Sequence, residues 1–418
     1  MTVGIEALNV YAGAASLDVF KLAEYRELDM TRFQNLLMRE KSVALPYEDP
    51  VTYGINAAKP IIDALSEEDR NKIEMVITCT ESSFDFSKSM STYFHKYLGL
   101  KNNCRLFELK NACYSGVAGL QMAINFILSK TSPGAKALVI ATDLSRFIME
   151  EGGDQHAADW SFAEPSSGAG AVAVLVSDQP RVFQIDVGAN GYYGYEVMDT
   201  CRPTADSETG DSDLSLLSYL DCCENAFKEY QKRVAGVDYA TTFGFLAFHT
   251  PFGGMIKGAH RNLMRRNTKF NAADIEKDFE RRALPGLNYC QRLGNIMGAT
   301  AMLSLASTID NGDFREPQRI GVFSYGSGCC SEFFSGVTTA EGQGIVRSMK
   351  IGEQLDRRYR LSIDEYRQIL SQSRSVRFGT RNIDVDGSFV KAARKAQGRP
   401  TLFLSRISDY HREYEWVS

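Results

Sequence analysis

An α/β fold is the architecture predicted for this 418-residue chain. Three observations point to it. Short β-rich runs alternate with helical segments nearly throughout. Several of those runs are apolar on both alternations, as strands covered by helices on both faces must be; Ala137-Leu-Val-Ile-Ala-Thr142 is the clearest. Hydrophobic residues make up 44% and charged residues 24%, the balance of a chain that buries a sizeable core.

In chain order, strands are predicted at Met75–Thr80, Arg105–Leu109, Ala137–Thr142, Ala171–Ser177, Arg181–Asp186, Leu246–His249 and Arg319–Tyr325. Helices are predicted at Leu17–Leu28, Tyr53–Leu65, Val117–Leu128, Asp213–Arg233 and Met297–Ile309, and Ser362-Ile-Asp-Glu365 is a capping box that opens a late helix. The turn Ser177-Asp-Gln-Pro-Arg181 divides the chain into halves, 1–178 and 179–418. Each half holds a strand that runs into a small-residue turn and an apolar helical region, Arg105–Gly119 and Arg319–Phe333, which suggests an internal duplication.

Composition narrows the function. The formal charge of −5 disfavours a nucleic-acid partner. Met1–Ala15 lacks the basic start and apolar core of a signal peptide, and no stretch approaches ~20 uninterrupted apolar residues. A cytoplasmic chain without a membrane partner is expected. Nine cysteines, two pairs of them adjacent, fit neither a disulfide framework nor zinc spacing, so no metal is expected. The glycine-rich stretches lack Walker A spacing and a complete dinucleotide fingerprint.

Three residues suggest chemistry. Cys113 falls between a strand ending near Leu109 and an apolar helix beginning after Tyr114. A thiol there faces the positive end of a helix dipole and free backbone N–H groups, which favour a thiolate and could hold an oxyanion. A buried structural cysteine would suit the position equally. His249 closes the strand Phe243–His249 before Pro251, which fixes it well for acid–base work, although a satisfied core histidine is the commoner case. Glu81 follows a strand directly, where α/β folds place ligands; a solvated loop carboxylate is the alternative.

These residues belong to a set of motifs. Glu81 with Asp85, Asn111-Ala-Cys-Tyr-Ser-Gly116, Phe248-His-Thr-Pro-Phe252, Gly294-Asn295 and Phe323-Ser-Tyr-Gly-Ser-Gly328 together resemble the 3-hydroxy-3-methylglutaryl-CoA (HMG-CoA) synthase family. The resemblance implies a thiolase fold, a duplicated αβαβα five-layered sandwich, and a homodimer. It implies Cys113 as acyl-accepting nucleophile, Glu81 as general acid/base and His249 as the residue orienting the acceptor. Asn295, Tyr114 and the backbone around Ser327 would line the acyl pocket, with Asp85, Asp143 and Asp199 as supporting acids.

Two departures refine this. Synthases of primary metabolism usually carry a lysine five residues after the histidine, near the coenzyme A phosphates, and this chain has Gly254. Ala44-Leu-Pro-Tyr-Glu-Asp-Pro50 and Gly191-Tyr-Tyr-Gly-Tyr-Glu-Val-Met-Asp-Thr-Cys-Arg-Pro203 resemble instead the synthase-like enzymes of polyketide β-branching, which act on acyl groups tethered to acyl carrier proteins. The implied reaction condenses an acetyl group, taken from a donor carrier protein onto Cys113, with the β-keto group of an acetoacetyl chain on an acceptor carrier protein. No cofactor would be bound; the carrier supplies a phosphopantetheine arm. Lys257, Arg261 and Arg265 recur at i, i+4 and i+8 of an amphipathic helix and could dock an acidic carrier, or simply form a solvated face. Rival readings are a synthase using acetyl-CoA and acetoacetyl-CoA, a ketoacyl synthase III-like enzyme, and a non-catalytic carrier-binding subunit.

Overall fold

Nine strands, numbered in chain order, build the main sheet of the computed structural model, which describes residues 2–145, 163–204, 207–373, 375–387, 391–395 and 398–417. They are β1 (Gly4–Tyr11), β2 (Ile73–Cys79), β3 (Arg105–Leu109), β4 (Lys136–Leu144), β5 (Ala169–Ser177), β6 (Phe183–Gly194), β7 (Phe245–Phe248), β8 (Gln318–Gly326) and β9 (Cys330–Thr338). Their spatial order is β7-β8-β9-β6-β1-β5-β4-β2-β3. That order is a mirror about the junction of β6 and β1, where the two half-sheets touch through only two residue pairs, Gly4 with Gln184 and Ile5 with Phe183.

Strand directions follow the same mirror. β1–β5 and β6–β9 are antiparallel, β5–β4 and β9–β8 are antiparallel, and β4–β2 and β8–β7 are parallel. Only β3, parallel to β2, has no counterpart. Five helices complete the layers: α1 (Pro50–Ala64), α2 (Ser115–Ser129), α3 (Ser212–Arg233), α4 (Gly253–Asn267) and α5 (Thr300–Asn311). α1 covers β1, β4 and β5, and α3 covers β6, β8 and β9. α2 and α5 pack on each other between the half-sheets. The fold is the duplicated αβαβα sandwich of the thiolase type.

Local sequence accounts for these elements. β4 and β5 are buried at every residue, as their doubly apolar runs require. α1 starts at Pro50 behind an Asp49–Thr52 capping box. The window Ala112–Ser129, which includes α2, is apolar and long enough to cross a membrane, but half of it is buried and α2 lies between the half-sheets. The capping box at Ser362 forms, with the Ser362 N–H donating to Glu365 at 2.8 Å and the Glu365 N–H to Ser362 at 3.2 Å.

Two expectations need correction. Leu17 and Asp18 end a short strand, Ala15–Asp18, and the helix runs only over Val19–Tyr25, because the Asp18 carboxylate caps the Phe20 and Lys21 N–H groups. Arg319–Phe333 is no strand–turn–helix. Gly326-Ser-Gly328 reverses the chain into a second strand, so β8 and β9 form a hairpin. The duplication is real, yet that pair of segments does not express it.

Candidate active site

The two halves bring corresponding points together. Glu81 follows β2 and His249 follows β7; Cys113 precedes α2, and Asn295 precedes the 3-10 turn Met297–Ala299 that leads into α5. Three residues beyond Cys113 stands Gly116, and three beyond Asn295 stands Gly298. These glycines form a close contact between the halves: a Cβ on Gly116 would lie 2.1 Å from the Gly298 carbonyl oxygen, and one on Gly298 would lie 2.1 Å from Ser115 Oγ. Only glycines allow so close an approach.

Cys113, Glu81, His249, Asn295 and Ser327 all line one cavity of about 670 Å³. Ala112, in the left-handed region at φ 43°, turns the chain just ahead of Cys113. The Cys113 thiol points at Glu81, with Sγ 3.8 Å from Oε1. The acidity expected of this thiol is not found. Burial pushes it well above its ordinary pKa, and the charges of Glu81, Asp143 and Glu208 add to that. The N–H groups that could oppose them are engaged: Tyr114 donates to the Asn111 carbonyl and Ser115 to that of Ala112, each at 3.1 Å. At rest Cys113 is a neutral thiol, and Glu81 is the group placed to take its proton.

Asp143 holds this corner rather than lining it. Its Oδ1 accepts from the Thr80 hydroxyl at 2.9 Å, the Glu81 N–H at 2.9 Å, and the Ser82 N–H and hydroxyl at 3.1 and 2.9 Å. Its Oδ2 accepts from the Gly298 N–H at 3.1 Å, tying the loop after β2 to the opposite half. Burial and the nearby Glu81 charge push its carboxyl up to about 7, against donors that favour the ionised form. Asp199 does the same for the second half, accepting from the Tyr325 hydroxyl at 2.6 Å and the Gly328 N–H at 2.9 Å.

Among the described residues no carboxylate is bonded to His249. Its backbone N–H donates to the Phe323 carbonyl at 2.7 Å and its backbone carbonyl accepts from the Tyr219 hydroxyl at 2.7 Å. Burial alone lowers the imidazole to about 3, so the ring is neutral and offers one N–H and one lone pair. Asn295 Oδ1 accepts from the Met297 N–H and the Thr300 hydroxyl at 3.0 and 2.9 Å. Those two bonds assign its amide NH₂ to the cavity.

Tyr114, expected in the pocket, and Asp85, expected as a supporting acid, lie elsewhere. Tyr114 turns away from the cavity and donates to Glu332 at 2.7 Å. Asp85 accepts from the Ser87 and Lys88 N–H groups at 2.7 Å each, closing an exposed turn. On α4, Lys257 is paired with Glu276, while Arg261 and Arg265 are exposed. Gly254 is a packing necessity, since a Cβ there would lie 2.0 Å from the Asn35 carbonyl oxygen.

The sequence reading missed Arg202 and Glu208. They come from a two-stranded hairpin, Thr200–Thr204 with Ser207–Gly210, laid over the cavity. Arg202 Nη1 donates to the Glu81 carbonyl at 2.9 Å, and its Nε lies 3.6 Å from Glu81 Oε2 and 3.7 Å from Glu208 Oε2. Burial pushes Glu208 up to about 7, with Arg202 opposing and Glu81 adding to the rise. Arg202 was visible within the motif that ends at Pro203. Glu208 was not, since it lies in an acidic stretch that reads as a solvated loop.

A thiolase-type sandwich with a cysteine, a glutamate, a histidine and an asparagine around one cavity defines the class of condensing enzymes that handle thioesters. Within it, the chain belongs to the hydroxymethylglutaryl-coenzyme A synthase family. The family's N-terminal profile matches residues 1–180 and its C-terminal profile residues 260–416. The chain is 65% identical, over the full length of both, to the polyketide biosynthesis 3-hydroxy-3-methylglutaryl-ACP synthase PksG of Bacillus subtilis (strain 168). The crystal structure of the curacin pathway HMG synthase in complex with acetyl donor-ACP matches with a TM-score of 0.96 and 65% identity, covering all of both chains. A hydroxymethylglutaryl-CoA synthase of Enterococcus faecalis is 33% identical over 89% of this chain and 92% of its own.

Proposed function

We propose that the chain is an HMG-ACP synthase of polyketide β-branching. The observation that carries this reading is the contact of the Cys113 thiol with Glu81 in a cavity that His249 and Asn295 also line. Glu81 takes the thiol proton as sulfur attacks the acetyl thioester of a donor carrier protein and passes it to the departing phosphopantetheine thiolate, which leaves acetyl-Cys113 and an ionised Glu81. The carboxylate of Glu81 then removes a proton from the acetyl methyl. The resulting enolate attacks the β-carbonyl of an acetoacetyl chain on an acceptor carrier protein while the N–H of neutral His249 polarises that carbonyl, and the alkoxide so formed takes up the proton that Glu81 had removed. Water finally releases the chain from Cys113.

Carrier-bound rather than free acyl donors are favoured by Gly254. The segment Arg32–Leu36, part of which lines the cavity, packs so closely on α4 that a lysine has no room there. Arg261 and Arg265 remain as exposed charges for an acidic carrier, and Lys257 contributes less because Glu276 neutralises it. The working form is proposed to be a cytoplasmic homodimer. Intact-protein mass after incubation with acetyl-carrier protein or acetyl-CoA tests the reading, with Cys113→Ala as control. Acetylation by the carrier at least tenfold faster than by acetyl-CoA is expected. Equal or faster labelling by acetyl-CoA would return the chain to primary metabolism.

A further inference from the structure

The proposed reaction, on which this inference rests, sets an electrostatic problem in its last step. Once the enolate has attacked, the chain is tied at both ends, by one thioester to Cys113 and by the other to the acceptor carrier. Water then adds to the Cys113 thioester carbonyl and the C–S bond breaks. The sulfur regains a proton, a second proton passes to Glu81 and on to solvent, and the freed acyl end becomes a carboxylate. That new anion arises among Glu81, whose Oε1 is 3.8 Å from Sγ, and the neighbouring Asp143 and Glu208.

Among the described residues, Arg32, Lys110 and Arg202 are the Lys and Arg side chains that line the cavity. Arg32 and Lys110 are exposed, whereas the Arg202 side chain is only 11% exposed. Arg202 is also the cation that contacts both Glu81 and Glu208. Its place is fixed twice, by the Glu81 carbonyl at 2.9 Å and by Glu208 across the hairpin. The register of that hairpin shifts between Ser207 and Thr209, a bulge at Glu208 that re-aims its side chain. At 3.6 and 3.7 Å the guanidinium spreads its charge between two carboxylates instead of closing a fork on either.

We propose that Arg202 is a further catalytic residue, whose guanidinium takes the carboxylate set free when water cleaves the acyl–Cys113 thioester. Its charge is needed in that step because the anion develops there. Acetylation of Cys113 creates no lasting charge and needs it far less.

The test uses the full-length enzyme with acetyl-carrier donor and acetoacetyl-carrier acceptor, quenched in acid and read by intact mass. The doubly tethered intermediate is a covalent enzyme–carrier adduct, visible under denaturing conditions. In Arg202→Gln the adduct accumulates, and its hydrolysis, measured against the acetylation rate of the same variant, slows roughly 100-fold relative to wild type. Arg202→Lys retains the charge without the fork and gives an intermediate level of adduct. Normal acetylation with no adduct in Arg202→Gln overturns the proposal alone. Equal adduct in the Lys and Gln variants also overturns it, since charge would then not matter. A wild-type enzyme that is not acetylated by the carrier overturns the underlying reaction and this proposal together.

Discussion

The two halves place different side chains at the same points of a duplicated scaffold. After β2 stands Glu81, and after β7 stands His249; before α2 stands Cys113, and before the turn into α5 stands Asn295. The N-terminal pair is packed with charge, with Asp143 behind Glu81 and Arg202 and Glu208 beside it. The C-terminal pair has no carboxylate bonded to it among the described residues, and His249 is neutral. Duplication supplied the geometry, and electrostatics divided the labour. In the proposed reaction the pair set among proton acceptors, Glu208 of the second half included, makes and breaks the bonds at Cys113, and the neutral pair receives the acceptor carbonyl.

The sharpest break comes from substituting each half in turn. Cys113→Ala is expected to abolish acetylation and reduce turnover to background. Asn295→Ala, at the corresponding point, should leave acetylation intact while slowing condensation. Similar losses of acetylation in both would mean that the halves are not specialised. Next in size, Glu81→Gln should lower kcat by roughly 10²–10⁴-fold, as removal of a general base does. His249→Asn should leave acetyl transfer from the donor carrier unchanged and show its loss, roughly tenfold or more, against the acceptor.

The contact between the halves can be pushed apart. Gly298→Ala places a methyl group against Ser115 Oγ and should cost about 1–3 kcal/mol of stability, with both half-reactions slowed together. A stable variant of normal activity would show that the glycine contact does not set the site.

The neutral half also has a pH signature. The folded pKa of His249 lies below that of an unfolded histidine, so its contribution to stability is full above about 6.5 and is lost as pH falls toward about 3. In that window the unfolded chain binds a proton that the folded chain refuses, which costs about 1.4 kcal/mol per pH unit. Thermal melts of His249→Asn should show a shallower acid slope than wild type; identical slopes would contradict a buried neutral ring. The smallest effect is expected from Arg261→Glu with Arg265→Glu. Acetylation from the carrier should weaken severalfold at low salt and recover as ionic strength rises, while labelling by acetyl-CoA stays unchanged.

Much of this was legible in the sequence because local chemistry dictated it. The doubly apolar runs of β4 and β5 are strands since both faces are covered, and the catalytic-pattern residues Cys113, Glu81 and His249 do converge on one cavity. The illegible parts depend on contacts distant in the chain. β9 looked helical because nothing local announces that it pairs with both β8 and β6. Tyr114 looked like a pocket residue until Glu332, more than two hundred positions away, claimed its hydroxyl. The Cys113 thiol looked acidic from its place before a helix, but the surrounding carboxylates and burial outweigh the dipole. Arg202 and Glu208 reach the site from a hairpin whose position no local pattern reveals.

One measurement addresses the division of labour directly. The acetyl-enzyme is formed in D₂O with a carrier-borne butyryl chain, which fills the acceptor side but has no β-carbonyl to attack, and deuterium entering the acetyl methyl is read by mass. Wild type and His249→Asn are predicted to incorporate deuterium and Glu81→Gln is predicted not to. Incorporation by Glu81→Gln together with its loss in His249→Asn would place the base in the C-terminal half and contradict the account.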